Sequence, residues 1–108
     1  MDQSKARYRL RRIDWQQSAT VIYNFIRAQS HPYPGAYFLL EGKIIRVWSA
    51  KLFPYPYYGT HGQVVMVEKD FVVVACGEGT GICLLEVSEE GLNEQIAPHV
   101  LKFGQRLS

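Results

Sequence analysis

The sequence of 108 residues is short of cysteine, with two, and holds an ordinary five prolines and nine glycines. Its longest apolar stretches, such as residues 71–76, are six residues long. Each shortage excludes a class. Two thiols are too few for a disulfide-stapled domain, and a structural zinc site asks for four N/S ligands. The Gly and Pro content excludes collagen-like and low-complexity chains. A six-residue run is far below the ~20 residues that cross a bilayer as a helix. No charged-then-apolar leader opens the sequence, so the expected location is the cytoplasm. Charge of one sign is scarce too, with a formal net of +2.

What is present is a core. With 47% hydrophobic and 13% aromatic residues, the chain reads as one domain that hides about 65% of its unfolded surface. The charge is unevenly placed. Residues 1–12 carry Lys5, Arg7, Arg9, Arg11 and Arg12 against Asp2, a net of +4, and the rest carries −2. In an extended chain the alternation from Lys5 to Arg11 puts four cations on one edge. That basic arm reads either as a phosphate-contacting segment or as a solvated tail or linker, ahead of a domain over residues 13–108.

The spacing of Trp15, Ala19, Ile22 and Ile26, widened by Phe25, predicts an amphipathic helix over residues 15–28. Asp14 is its expected N-cap, with Gln17 placed to reach back, and Arg27 suits its last turn. Residues 30–35, with Pro32, Pro34 and Gly35, enforce a corner. Five β-rich runs follow, at 36–40, 43–51, 63–68, 71–76 and 82–87. Glu41-Gly42 and Lys69-Asp70 read as hairpin turns and residues 77–81 as a flexible third turn. Residues 92–97 suggest a helical turn and 102–107 a last short strand. The expected fold is mainly β: a small OB-like antiparallel barrel with one N-terminal amphipathic helix.

Site chemistry is sparse. Gly77-x-Gly79-x-Gly81 precedes a strand rather than a helix, so it is a hairpin turn and not a phosphate loop. Cys76 and Cys83 could approach each other across that turn, as buried thiols or a disulfide. His31, His61 and His99 sit in separate loops without metal-site companions, so no metal and no catalytic residue are expected. Phe53, Tyr55, Tyr57 and Tyr58 crowd one loop. They either seal the fold or offer stacking faces beside Lys51, Arg46 and Arg27.

From Ile13 onward the sequence resembles the C-terminal domain of folate-dependent formyltransferases, the group of methionyl-tRNA formyltransferase and the sugar-nucleotide formyltransferases. The resemblance lies in Ile13-Asp14-Trp15, Ser18-Ala19, Ile22, Ile26-Arg27-Ala28 and Pro34-Gly35-Ala36. It continues through Gly42-Lys43, Trp48-x-Ala50, Ala75-Cys76-Gly77-Glu78-Gly79, Leu84-Leu85-Glu86 and Lys102-x-Gly104-x-x-Leu107. It implies an OB-like barrel behind one helix and a non-catalytic role. The 10-formyltetrahydrofolate and the formyl-transfer residues would belong to a separate N-terminal catalytic domain of roughly two hundred residues.

The resemblance further implies that this domain helps to grip the initiator tRNA, in protein biosynthesis. The expected contacts are Lys5, Arg7, Arg9, Arg11, Arg12, Arg27, Lys43 and Lys51. The chain departs from the family pattern in a shortened segment between Tyr8 and Trp15. It departs again in the acidic residues 88–94, where tRNA-directed members have a Gln-x-x-Gly-Lys-like stretch. Carboxylates there would repel phosphates. They favour an alternative, a structural or dimerising accessory domain of a sugar-nucleotide or small-amine formyltransferase.

Overall fold

Helix α1 (Ala19–Gln29) starts later than its apolar stripe predicts, because Asp14 caps a separate turn. The Asp14 carboxylate accepts the Gln16 N–H at 3.0 Å, and its carbonyl accepts the Gln17 N–H at 3.1 Å. The helix cap is Ser18, whose hydroxyl accepts the Val21 N–H at 3.4 Å. The computed structural model describes residues 11–90 and 101–108, so Lys5, Arg7, Arg9, His99 and the helical turn expected at 92–97 lie outside the described residues.

Five strands follow: β1 (Ala36–Leu40), β2 (Lys43–Leu52), β3 (Val64–Val67), β4 (Val72–Cys76) and β5 (Thr80–Glu89). They form one antiparallel sheet in the order β1-β2-β5-β4-β3. The β1–β2 hairpin turns on Glu41 and Gly42, both at positive φ (52° and 79°), the pairing that matches strand twist. Glu78 and Gly79 do the same between β4 and β5, at 58° and 68°. The five residues 77–81 are therefore not a flexible turn: Cys76 faces Thr80, and Thr80 and Gly81 already belong to β5.

The sheet is open, which corrects the expected OB-like barrel: its edge strands β1 and β3 are not neighbours. The strand expected over 102–107, which would have closed it, is mostly turn. The Lys102 carbonyl accepts the Gln105 N–H at 3.1 Å, the Gln105 side chain accepts the Lys102 N–H at 2.8 Å, and Gly104 sits at φ 85°. Only the last residues run extended. Arg106 makes an isolated bridge to Gln63, and Ser108 exchanges backbone hydrogen bonds with Leu39. This segment touches both edges without becoming a strand of the sheet.

Ala19, Ile22 and Ile26 bury one face of α1 on the sheet, alongside Trp15, Phe38, Val47, Val72, Val74, Ile82, Leu84 and Leu101. Full burial of each large aliphatic side chain contributes about 1.5–3 kcal/mol. The opposite face of β4 and β5 is covered as well. There the aromatic loop 53–61 folds back, its Phe53 and Tyr57 N–H groups donating to Gly81 and Gly79 carbonyls at 3.1 and 2.9 Å. Val73, Ala75 and Cys83 are buried on that side. The corner after α1 wraps Trp48: His31 stacks on its ring at 4.1 Å, and Ser30 donates to its carbonyl at 3.0 Å.

The two thiols are free and lie on opposite faces, since Cys83 pairs with Val73, three residues from Cys76. They do not meet across the hairpin. Burial pushes the Cys76 thiol from 9.0 up to about 12, against a smaller lowering by a backbone hydrogen bond at Ile82. Burial also raises the Cys83 thiol, opposed by the charge of Lys51.

The α1 approach is fixed at Gly77. Its N–H donates to the Gln17 carbonyl at 2.8 Å, and a Cβ there would overlap the Gln16 carbonyl oxygen. Gly77→Ala should lower unfolding free energy by about 3 kcal/mol in urea titration. Gly42→Ala, with open space around it, should cost only about 1 kcal/mol through its positive φ. Equal costs would contradict this account. The thiols supply a second expectation. Between pH 9 and 12 the unfolded Cys76 ionises while the folded one stays protonated, so its contribution to stability falls as pH rises. Chemical denaturation across that range should show a shallower decline for Cys76→Ala than for the parent chain.

Candidate functional site

Residues 11–13 run beside β1: Tyr37 N–H donates to the Arg11 carbonyl at 2.9 Å, and Ile13 N–H donates back to Tyr37 at 2.8 Å. Strand-like alternation then sends Ile13 and Trp15 into the core and leaves Arg12, Asp14 and Gln16 outside. The closing segment repeats the pattern, with Leu107 buried between exposed Arg106 and Ser108. Its Leu107 N–H donates to the Gly62 carbonyl at 2.7 Å and its Ser108 N–H to the Leu39 carbonyl at 2.8 Å. Between these two segments and residues 59–61 lies a groove of about 930 Å³. Arg12 Nε donates to the Ser108 carbonyl at 3.3 Å and ties two of its walls together.

Arg12 and Arg106 line the groove together with His61, Asp14 and Ser108; the Asp14 Oδ1 accepts the Gln16 N–H. The ion pairs Lys43–Glu89 at 3.7 Å and Arg46–Glu90 at 3.0 Å involve neither Arg12 nor Arg106. Trp15, 5% exposed, also lines the groove, and its indole N–H is buried with no hydrogen-bond partner. Two guanidiniums lining one groove are groups suited to an anion.

The residues expected to contact nucleic acid divide. Arg12 reaches the groove, and Arg11 is the residue before it. Arg27 lies at the exposed end of α1 over the Tyr23 ring, 5.4 Å from its centroid. Lys43 and Lys51 stand near opposite ends of β2, about 26 Å apart at ~3.3 Å per residue. Lys43 is held by Glu89, and Lys51 sits 5.0 Å from the Phe71 ring centroid. Arg106 went unrecognised in the sequence. Its outward position beside buried Leu107 was readable, but its approach to Arg12 depends on the pairing of 11–13 with β1. Arg46 is structural: it donates to the Pro34 carbonyl at 2.9 Å and pairs with Glu90.

Glu89 and Glu90 of the acidic return are engaged in ion pairs, and Ser88 stands apart from Arg12. Arg12 lies beside Tyr37, Tyr37 opposite Arg46 and Arg46 opposite Ser88, three strand spacings or about 14 Å. That exceeds the Debye length of about 8 Å at physiological salt. In the aromatic loop, Tyr58 is 85% and Tyr55 67% exposed, and Tyr58 lies against Gly79. Among the described residues no group of three His, Cys, Asp or Glu is placed to hold a metal ion. No helix among them is long and apolar enough to cross a membrane.

Comparison with known proteins gives the fold and the groove a context. The formyl transferase C-terminal domain family matches residues 5–102. A methionyl-tRNA formyltransferase from Geobacillus thermodenitrificans is 36% identical over 98 residues, covering 90% of this chain and 30% of that protein. One from Bacillus licheniformis is 40% identical over 79 residues, covering 73% and 25%. The chain thus spans less than a third of the length of these relatives. HypX from Aquifex aeolicus, in complex with tetrahydrofolic acid, has a similar fold, with a TM-score of 0.66 and 24% identity over 86% of this chain and 16% of that one. The matched part is the C-terminal domain alone, in keeping with a non-catalytic portion of a larger formyltransferase. On the family match and the two relatives together, this chain belongs to the formyl transferase C-terminal domain family.

Proposed function

We propose that this domain helps to bind and position the acceptor of a 10-formyltetrahydrofolate-dependent formyltransferase, the initiator tRNA of the methionyl-tRNA type. The observation that carries the reading is the pair of methionyl-tRNA formyltransferases aligned over most of the chain. Formyl-folate and the transfer chemistry then belong to an N-terminal catalytic domain, to which this one is joined. The reaction is amine attack on a formyl carbonyl. This domain contributes orientation, which converts an encounter of two large molecules into a positioned one.

The charge layout supports a nucleic-acid partner. Lys5, Arg7, Arg9 and Arg11 precede Arg12 in the sequence, and Arg12 lines the groove with Arg106, a cation distant in sequence. Arg27 and Lys51 extend the contact outward, and Lys43, already paired with Glu89, adds least. The carboxylates that favoured a sugar-nucleotide or small-amine enzyme are weaker grounds for it, since Glu89 and Glu90 are paired with Lys43 and Arg46.

Titration of the 108-residue chain with initiator tRNA tests the proposal. Affinity should fall about a hundredfold or more between about 50 and 200 mM salt. Arg12→Ala and Arg106→Ala should each weaken binding and lower the log–log salt slope by about 1, while Lys43→Ala changes little. Absence of binding at low salt would overturn the tRNA role and leave the structural or dimerising alternative.

A further inference from the structure

The loop between β2 and β3 is exposed without being loose. Residues 52–60 carry no charge and include Pro54 and Pro56, whose rings fix their own φ. Each tyrosine of the loop is braced. Exposed Tyr55 meets Phe53 edge-on at 5.6 Å, and the Phe53 N–H donates to the Gly81 carbonyl at 3.1 Å. Tyr57 lies against Gly59 and donates its N–H to the Gly79 carbonyl at 2.9 Å, while exposed Tyr58 lies against Gly79. Uncharged aromatic surface of this kind has the composition of a protein–protein interface core, where tyrosine is enriched and charge depleted. Bracing removes much of the ordering cost that loose side chains meet on association. Nucleic acid fits the loop less well. Stacking faces that take a strand sit beside a cationic track, and Lys51, the cation next to the loop, lies 5.0 Å from the Phe71 ring centroid.

The place of the loop in the fold names its partner. The described chain enters beside β1 at Arg11 and Arg12, and Arg12 lines the same groove as Gly59, the residue under Tyr57. The chain covers 30% and 25% of its two aligned relatives and matches a C-terminal domain family, so the remainder of such a protein lies ahead of it in sequence. We propose that the aromatic loop, with Tyr55 and Tyr58 at its centre, is the surface on which the upstream catalytic domain docks. The proposal rests on the formyltransferase reading above and assigns the face that joins the two domains. A domain attached ahead of Arg11 is held at high effective concentration over a face beside that point, so a patch of a few braced rings is enough to seat it.

Nitration by tetranitromethane, mapped by mass spectrometry, tests the proposal on the 108-residue chain and on the polypeptide that carries the catalytic domain ahead of it. Tyr55 and Tyr58 should react readily in the short chain and at least about tenfold more slowly in the long one, as rings that an interface closes off from water. Exposed Tyr33, at the corner before β1, should react equally in both. In the long polypeptide the Tyr55→Ser, Tyr58→Ser double variant should undock the domains and enlarge the radius of gyration measured by X-ray scattering. Equal nitration of Tyr55 and Tyr58 in the two forms, or an unchanged radius in the double variant, would overturn the proposal. Shielding of the short chain that grows with its own concentration would overturn it too and assign the face to a second copy. Shielding of Tyr55 by initiator tRNA added to the short chain would assign the face to nucleic acid, with the same result. Shielding by the catalytic domain without any tRNA binding keeps the docking face and removes the acceptor role. Binding of tRNA without that shielding does the reverse.

Discussion

The structure depends on one junction, where the chain entering α1 meets the β4–β5 turn. Gly77 donates its N–H to Gln17, Ser18 bridges to Gly77, and the Thr80 hydroxyl accepts the Ala19 N–H at 2.8 Å while donating to the Gly77 carbonyl at 2.6 Å. The first free N–H of the helix is therefore satisfied by a residue 61 positions later. No side chain fits at position 77, so the backbones can approach closely only there. This contact sets where α1 begins, how Trp15 enters the core and where residues 12–16 stand as a wall of the groove.

That wall gives the charge pattern its meaning. Arg12 faces outward because Ile13 and Trp15 are committed inward, and it meets Arg106 because both flanking segments run beside sheet edges. Two acids of the return segment are occupied elsewhere, Glu89 on Lys43 and Glu90 on Arg46. An overall charge of +2 thus conceals a groove lined by two arginines, Arg12 and Arg106, that the Lys43–Glu89 and Arg46–Glu90 pairs leave aside. The open sheet adds to this arrangement, since the segment spanning its edges contributes side chains to the groove rather than a full set of ladder hydrogen bonds.

Much of the fold is legible from local rules. Glu41-Gly42 announces its turn, β-branched and aromatic runs mark all five strands, and the stripe of Ala19, Ile22 and Ile26 marks the buried face of α1. The start of the helix is not legible, because Asp14 satisfies a cap pattern within its own turn and Ser18 does so again four residues later. Nor is the openness of the sheet. Lys102 to Leu107 has strand-like alternation, and only the turn closed by Lys102 and Gln105 shows that half of it is spent on reversal. Gly77 and Gly79 read as flexibility when both are close-packed, against Gln16 and Tyr58. The groove was hidden for a related reason: Arg12 and Arg106 are brought together by long-range pairing that no spacing encodes.

Hydrogen–deuterium exchange of the 108-residue chain with and without initiator tRNA tests the central claim most directly, because it maps the footprint without altering a residue. The account predicts protection centred on residues 12–16, 58–61 and 104–108, with the β1–β2 hairpin end and Glu89-Glu90 unchanged. Protection at the hairpin end, with the groove exchanging as in the free chain, would contradict it.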